Sequence, residues 1–225
     1  LDISERMLKA AEADRIRTRA GRWLHGASSH RVAGDGGRLP IADDSVELVF
    51  SNLMLHWHPE PHTVFPEWKR VLKTDGLLMF SCFGPDTLKE LRAAAAQALP
   101  HLQAMPFVDM HDFGDMMVAS GFATPVMDAE VITLTYASPQ DLLREVRALG
   151  GNPRDDRAQS LPSGRQARQM LSALDAQRGE DGRIRLTFEV AYGHAWKPKP
   201  SSGGVTAITV ETLRAELASR RSRQT

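Results

Sequence analysis

The stretch Arg38-Leu-Pro-Ile-Ala-Asp-Asp-Ser-Val-Glu-Leu-Val-Phe-Ser-Asn-Leu-Met-Leu-His-Trp57 decides the fold of this chain of 225 residues. It contains a polar turn, a short apolar strand and a polar exit that ends in His56 and Trp57. A second apolar strand, Gly76-Leu-Leu-Met-Phe80, follows a segment with helical spacing. Strand, helix and strand in this order predict a βαβ unit of a parallel sheet, whose ligands bind beyond the carboxyl ends of the strands.

The same alternation extends along the first half of the chain and predicts an α/β fold with a mostly parallel sheet flanked by helices. The predicted strands are 1–3, 30–34, 45–51, 76–83, 126–136 and 184–192, and the predicted helices are 4–22, 62–73, 86–98, 109–120, 139–149 and 165–177. The predicted domain covers residues 1–197, with substrate-facing helical insertions within 98–180. Residues 198–225 are predicted to be a carboxyl-terminal tail, ordered in part at 210–218.

The composition excludes several classes of partner. The formal net charge is zero, which argues against nucleic acid or an anionic membrane as a partner. No apolar run is long enough to span a bilayer. The single cysteine, Cys82, cannot form an internal disulfide, so a reducing compartment such as the cytoplasm is expected.

Two aspartates follow predicted strands and are candidate ligands for a nucleoside. A carboxylate at the position of Asp2 can accept hydrogen bonds from the two ribose hydroxyls, although Asp2 could also merely cap the next helix. Asp35 could accept from an exocyclic amine such as adenine N6, and Gly36 beside it would let the backbone approach a flat ring. The alternative for Asp35 is an ordinary turn residue. Two such residues at successive strand ends favour the nucleoside interpretation.

His56 follows the end of the strand predicted over 45–51, and it could act as a general base or a hydrogen-bond donor. A structural role is the alternative. His56, His58 and His62 do not have the spacing of a common metal site, because Pro59 and Pro61 interrupt any helix. The sequence therefore predicts no metal.

Several motifs together resemble the class I S-adenosylmethionine-dependent methyltransferases, and most closely the malonyl-[acyl-carrier protein] O-methyltransferases of biotin synthesis. The superfamily motifs are Leu1-Asp2-Ile3-Ser4, Gly34-Asp35-Gly36, Val46-Glu-Leu-Val-Phe-Ser-Asn52 and Leu72-Lys-x-x-Gly-Leu-Leu78. The motifs of the narrower family are Ser51-Asn-Leu-x-Leu-x-Trp57, Leu143-Arg144-x-x-Arg147-Ala-Leu-Gly150 and Leu186-Thr-Phe-Glu-Val-Ala-Tyr192. The resemblance covers roughly residues 1–197 and implies a Rossmann-like fold.

The resemblance also implies how the cofactor, S-adenosylmethionine, would be bound. Asp2 would hold the ribose hydroxyls, with Ile3 and Met7 packed on the adenine. Asp35 would take adenine N6, and the backbone of Gly36 would face the ring. The methionine part would be lined by three consecutive residues, Ser51, Asn52 and Leu53.

The reaction implied by the resemblance is methyl transfer to the free carboxylate of a malonyl thioester, which an acidic acyl carrier protein would present. A carboxylate is already ionised at neutral pH, so the reaction needs alignment rather than a base. It does need a cation for the acyl carboxylate, and Arg144 is the candidate, with Arg147 as the fallback. His56 is the second residue proposed to be catalytic.

Three other functions stay open at this point. The chain could be a relative of the mitochondrial complex I assembly factor, which hydroxylates a protein arginine, although that motif has an acidic residue where this chain has Arg144. It could also be a methyltransferase with another acceptor. Finally, it could be a non-enzymatic binding module, since the first strand and glycine-rich loop of the family pattern are missing here. We expect that an amino-terminal segment precedes Leu1 in a longer protein. The sequence does not predict the oligomeric state.

Overall fold

A computed structural model describes residues 1–17, 30–99, 106–149 and 163–200 of the chain. Within these ranges the elements lie in the order α1, β1, α2, β2, α3, α4, β3, α5, α6, β4, with two short 3-10 turns after β1. Their bounds are α1 Glu5–Arg17, β1 Val46–Asn52, α2 Val64–Val71, β2 Leu72–Phe83, α3 Lys89–Ala98, α4 Met110–Ala119, β3 Ala123–Tyr136, α5 Pro139–Ala148, α6 Gly164–Asp175 and β4 Ile184–Trp196.

The four strands form one mixed sheet in the order β1-β2-β4-β3. β1 and β2 are parallel, as the βαβ pattern predicts, and β4 is antiparallel to both of its neighbours, β2 and β3. Three of the four strands therefore run in one direction, and the α/β class is confirmed. β1 and β2 end side by side, because Asn52 pairs with Ser81.

Helices cover both faces of the sheet. On one face α2 and α4 pack on the sheet through a cluster of aromatic rings, mostly edge-to-face, whose centroids lie 5.5–6.3 Å apart: Phe65, Trp68, Phe80 and Phe113. Such rings bury large apolar areas and add favourable quadrupole contacts. Gly193 of β4 makes room for the Phe80 ring, since a Cβ there would lie 2.4 Å from two of its carbons.

On the other face α3, α5 and α6 pack on the amino-terminal half of β4. The buried residues of this second cluster are Ala94, Leu142, Leu174, Ile184, Leu186 and Phe188. The last residue of β2, Phe83, is partly buried against the same cluster. Ser138 and Ser163 cap the amino ends of α5 and α6, because their side chains accept hydrogen bonds from backbone amides.

Most predicted elements are confirmed, and the differences have local causes. The predicted strands at 1–3 and 30–34 are reduced to one parallel bridge between Asp2 and Ala33. The helix predicted over 62–73 ends at Val71, and β2 begins directly at Leu72, before the strand predicted over 76–83; Asp75, within β2, has a φ of 63°. The helix predicted over 86–98 begins only at Lys89, and Thr87 before it bonds to the backbone of Glu189 in β4.

Some predictions lie outside the described residues or are not tested by the structure. The end of the predicted helix 4–22, the loop at 150–162 and the predicted order at 210–218 belong to the first group. The domain boundary at 197 and the missing first strand stay predictions. No helix within the described ranges is long and apolar enough to cross a membrane.

Candidate active site

The first part of the candidate site is the bridge that joins Asp2 to the segment before Asp35. The Asp2 backbone oxygen accepts from the Gly34 amide at 3.1 Å, which places Asp2 beside the turn that carries Asp35. The side-chain atom Oδ1 of Asp2 accepts from the Ser4 amide at 2.7 Å. Oδ2 has no hydrogen bond among the described residues and is available to a ligand. Asp2 thus caps the chain before α1 with one oxygen and keeps the other.

Asp35 and Gly36 form a tight turn that approaches the end of β1. Asp35 Oδ1 accepts from the amide of Gly37 at 2.8 Å, and Trp68 Nε1 donates to the Gly36 oxygen at 3.1 Å. A Cβ on Gly36 would lie 2.7 Å from the methyl carbon of Met54. A side chain at this position would therefore have to displace the end of Met54, two residues after β1. Together these contacts connect the acidic turn with the strand end.

At the end of β1 the chain turns sharply at Leu53, which has a φ of 50°. A left-handed non-glycine residue costs roughly 1–2 kcal/mol and must be held by its surroundings. The buried Ser81 of β2 holds it, because Ser81 Oγ accepts from the Leu53 amide at 3.2 Å and donates to Asn52 Oδ1 at 2.7 Å. The buried Oγ of Ser51 has no hydrogen-bond partner in the described part of the chain.

His56 lies on the first 3-10 turn, Leu55–Trp57, among aromatic rings. Its ring centroid is 4.6 Å from that of Phe83 and 6.2 Å from that of Phe107. Burial lowers the pKa of His56 to about 4, so the imidazole is neutral at pH 7. Its Nδ1 atom is buried and finds no hydrogen-bond partner within the described ranges. A neutral imidazole can donate one hydrogen bond and accept another, which a bound ligand could satisfy.

Arg144 lies on the solvent side of α5. Its Nη1 forms an ion pair with Asp141 Oδ1 at 2.9 Å, and its side chain is 72% exposed. No described hydrogen bond or ion pair joins it to the end of β1. The structure therefore brings together Asp2, Asp35, Gly36 and the strand-end residues, but leaves Arg144 at the surface. Ile3 and Met7 also lie close to Asp2 in sequence and are 77% and 59% exposed.

Cys82 and the histidines add no further chemistry to this site. Burial raises the pKa of the Cys82 thiol to about 12, so it stays protonated and packs as a small apolar group. One ring nitrogen of His58 is already used in a local hydrogen bond, because its Nδ1 accepts from the Glu60 amide at 3.1 Å. Among the residues described, no three His, Cys, Asp or Glu side chains come together as a metal site would require.

The residues present fit S-adenosylmethionine in three respects. Asp2 keeps a carboxylate oxygen, Ser51 keeps a buried hydroxyl without a partner, and Gly36 leaves a backbone surface without a side chain. Sequence reasoning missed Met54 and Ser81, which shape this surface from β1 and β2. The pairing of Asn52 with Ser81 could have indicated Ser81, since parallel strands of predicted length place the two residues together.

Comparison with known proteins gives both a domain and close relatives. Residues 1–80 match the family model of a methyltransferase domain. A malonyl-[acyl-carrier protein] O-methyltransferase of Laribacter hongkongensis is 43% identical over 199 residues, which are 88% of this chain and 67% of the relative. An enzyme of the same name from Gallionella capsiferriformans is 40% identical over 216 residues, 94% of this chain and 72% of the relative.

Solved structures support the fold. The YcgJ protein of Bacillus subtilis aligns with a TM-score of 0.55 at 12% identity, covering 88% of this chain and 81% of that protein. A structure from Bacillus halodurans, described as that of a methyltransferase, gives the same TM-score at 17% identity and the same coverage. At these identities the likeness concerns the arrangement of strands and helices alone.

Proposed function

The chain belongs to the family of malonyl-[acyl-carrier protein] O-methyltransferases, and from that membership we propose that it methylates the free carboxylate of a malonyl group on an acyl carrier protein. The methyl donor is S-adenosylmethionine, and the pathway is biotin synthesis. The observation that carries the proposal is the position of two carboxylates, Asp2 and Asp35, on adjacent segments beside the end of β1. Curated relatives at 40–43% identity support the choice of acceptor.

In this proposal the residues around the bridge hold the nucleoside. Asp2 accepts from the ribose hydroxyls through the oxygen that the Ser4 amide leaves available. Asp35 takes the exocyclic amine of adenine, and Gly36 presents its backbone to the ring. Ile3 and Met7, both exposed, supply apolar surface that the adenine would cover. Removing exposed apolar surface from water contributes about 25 cal/mol per Å² to the free energy of binding.

The end of β1 holds the methionine part of the cofactor. Ser51 contributes the hydroxyl that has no described partner, and Asn52 and Leu53 are fixed by Ser81. Preorganised groups of this kind need no rearrangement when the ligand binds. When bound, S-adenosylmethionine supplies the methyl group: the carboxylate oxygen forms the new bond, the sulfur keeps the electron pair of the broken one, and no proton moves.

The acceptor needs positive charge rather than a base. An acyl carboxylate has a pKa near 4 and is ionised at neutral pH. Arg144 is the residue proposed to bind it, after exchanging its exposed partner Asp141 for the ligand, and Arg147 on the same helix is the fallback. The neutral imidazole of His56 is proposed to form a hydrogen bond with the acceptor. The exposed arginines of α5 also suit an acidic carrier protein.

The other candidate functions are less well supported. The proteins at 40–43% identity are named as carrier-protein methyltransferases, which disfavours an arginine hydroxylase and a methyltransferase with another acceptor. A non-enzymatic module is disfavoured by the retained Asp2 and Asp35 and by the unpartnered Ser51 hydroxyl.

The proposal is tested by calorimetric titration of S-adenosylhomocysteine into this chain and into an amino-terminally extended form. Saturable binding by either form, followed by methylation of malonyl-loaded carrier protein by that form, is the expected result. Binding by neither form would refute the cofactor site. Binding without turnover on the malonyl carrier protein would refute the acceptor and leave the cofactor site intact.

A further inference from the structure

Arg92 on α3 is held against an aromatic ring near the ends of β1 and β2. Its guanidinium carbon lies 6.0 Å from the centroid of the Phe107 ring, within the range of a cation–π contact. Its Nη2 donates to the backbone oxygen of Pro85, in the turn that follows β2. The side chain is half-buried. These two contacts fix where the positive charge lies.

The ring beneath Arg92 belongs to a small aromatic wall. The Phe107 ring is 6.1 Å from that of Phe83 and 6.2 Å from that of His56, and the rings of Phe83 and His56 are 4.6 Å apart. Phe83 is the last residue of β2, and His56 follows β1. The wall therefore lies beyond the carboxyl ends of the two parallel strands, on the side where ligands of open α/β sheets bind.

Arg92 has no carboxylate partner in the part of the chain that the structure describes. Other arginines do: Arg144 is paired with Asp141, and Arg178 is paired with Asp175. His56, whose ring centroid is 6.2 Å from that of the same Phe107, has a buried Nδ1 that also finds no described partner. A cation that has no counter-ion among the described residues, on the same ring that the unsatisfied imidazole faces, matches a short apolar chain that ends in a carboxylate.

We infer that Arg92 is a specificity-determining residue of the acceptor site, which binds the acyl carboxylate against Phe107 and beside His56. The inference rests on the proposed function and adds a second arginine to the Arg144 assigned there. The planar guanidinium can donate two parallel hydrogen bonds to the carboxylate, one to each oxygen. An oxygen lone pair on the opposite side stays free for the methyl group.

The test compares the wild type with Arg92→Gln and Arg92→Lys, in whichever form of the chain binds S-adenosylhomocysteine. We expect Arg92→Gln to raise the KM for malonyl carrier protein about tenfold to a hundredfold, since a charge-assisted pair is lost. Arg92→Lys keeps the charge but loses the fork, so an intermediate rise is expected. The affinity for S-adenosylhomocysteine should not change, because no described hydrogen bond or ion pair joins Arg92 to the proposed cofactor residues.

A neutral isostere separates a binding role from a structural one. Malonamoyl carrier protein carries an amide in place of the carboxylate and serves as a competitive inhibitor. The wild type should prefer the malonyl form to the malonamoyl form by about tenfold or more, and Arg92→Gln should lose this preference. Lys89→Ala on the same helix removes an exposed lysine that is paired with Asp86, and it should leave both constants unchanged.

Each outcome decides between the two proposals. A wild type that turns over malonyl carrier protein, with an unchanged KM and unchanged preference in the Arg92 variants, overturns the role of Arg92 and keeps the proposed function. A wild type that binds S-adenosylhomocysteine but never methylates the malonyl group overturns both. If Arg92→Gln does not fold, Arg92→Lys carries the decision, and a wild-type KM in that variant counts against the inference.

Discussion

Acidification should destabilise this protein through one buried imidazole, that of His56. Burial lowers its pKa from 6.5 to about 4 in the folded chain. Between these two values the unfolded chain binds a proton at this position and the folded chain does not. The free energy of unfolding therefore falls as the pH falls from 6.5 towards 4, and the contribution of His56 to stability is fully present only above 6.5.

The size of the effect follows from the two pKa values. Each pKa unit corresponds to ~1.4 kcal/mol, and at pH 5 roughly 1.5 units of the difference have been crossed. The loss is then about 2 kcal/mol, and partial contact of the ring with solvent reduces it to about 1–2 kcal/mol. For a domain of this size that is a measurable part of the total stability.

Urea unfolding at pH 7.5 and pH 5 measures this loss in the wild type and in His56→Phe, which keeps a ring in the aromatic wall but cannot titrate. Other groups titrate equally in both proteins, so the difference between the two pH dependences isolates His56. His62→Gln, at an exposed position, is the matched control and should behave as the wild type. Equal pH dependence in the wild type and His56→Phe would refute the reasoning.

Three further changes test other parts of the structure. Asp2→Ala should weaken S-adenosylhomocysteine binding about tenfold or more in a calorimetric titration, because hydrogen bonds to a charged group are lost; an unchanged dissociation constant would remove Asp2 from the ribose site. Gly193→Ala should cost about 1–3 kcal/mol in urea unfolding, because its Cβ would lie 2.4 Å from a buried phenylalanine ring. Gly114→Ala, whose Cβ would meet only an ordinary contact at 3.6 Å within a helix, should be neutral or stabilising, and equal losses in both would argue against the clash. Arg144→Ala should spare cofactor binding and depress turnover more than Arg147→Ala does, and wild-type turnover would exclude Arg144 from the acceptor site.

Local patterns predicted most of the elements but not the way distant segments share their polar groups. The strands predicted over 126–136 and 184–192 both lie within observed strands, β3 Ala123–Tyr136 and β4 Ile184–Trp196, because β-branched and aromatic residues favour extended backbone wherever the strand packs. The helix predicted over 86–98 begins only at Lys89, because the hydroxyl of Thr87 bonds instead to the backbone of Glu189, which is far away in sequence. Such a choice depends on the tertiary fold, in which β4 lies between β2 and β3.

The candidate site divides in the same way. Asp2, Asp35 and the residues 51–53 could be proposed from sequence, because each lies at or just beyond the carboxyl end of a predicted strand, where ligands of such sheets bind. Arg92 could not, because its contacts with Phe107 and Pro85 arise only when α3 folds back over the end of β2. On a helical pattern alone it is one more polar residue next to the apolar Leu91.

The burial of His56 costs stability in acid, and the proposed reaction gives a reason for that cost. The acceptor is an anion, and its oxygen must keep electron density available for the methyl group. The proposed arginines can hold the carboxylate by its edge, whereas a protonated imidazole beside the attacking oxygen would add further positive charge and make that oxygen a poorer nucleophile. It would also repel the positively charged donor. A buried imidazole, with its pKa at about 4, stays neutral at the pH of the reaction and can still offer a hydrogen bond. The aromatic wall of Phe83 and Phe107 thus sets the charge of the site as well as its shape.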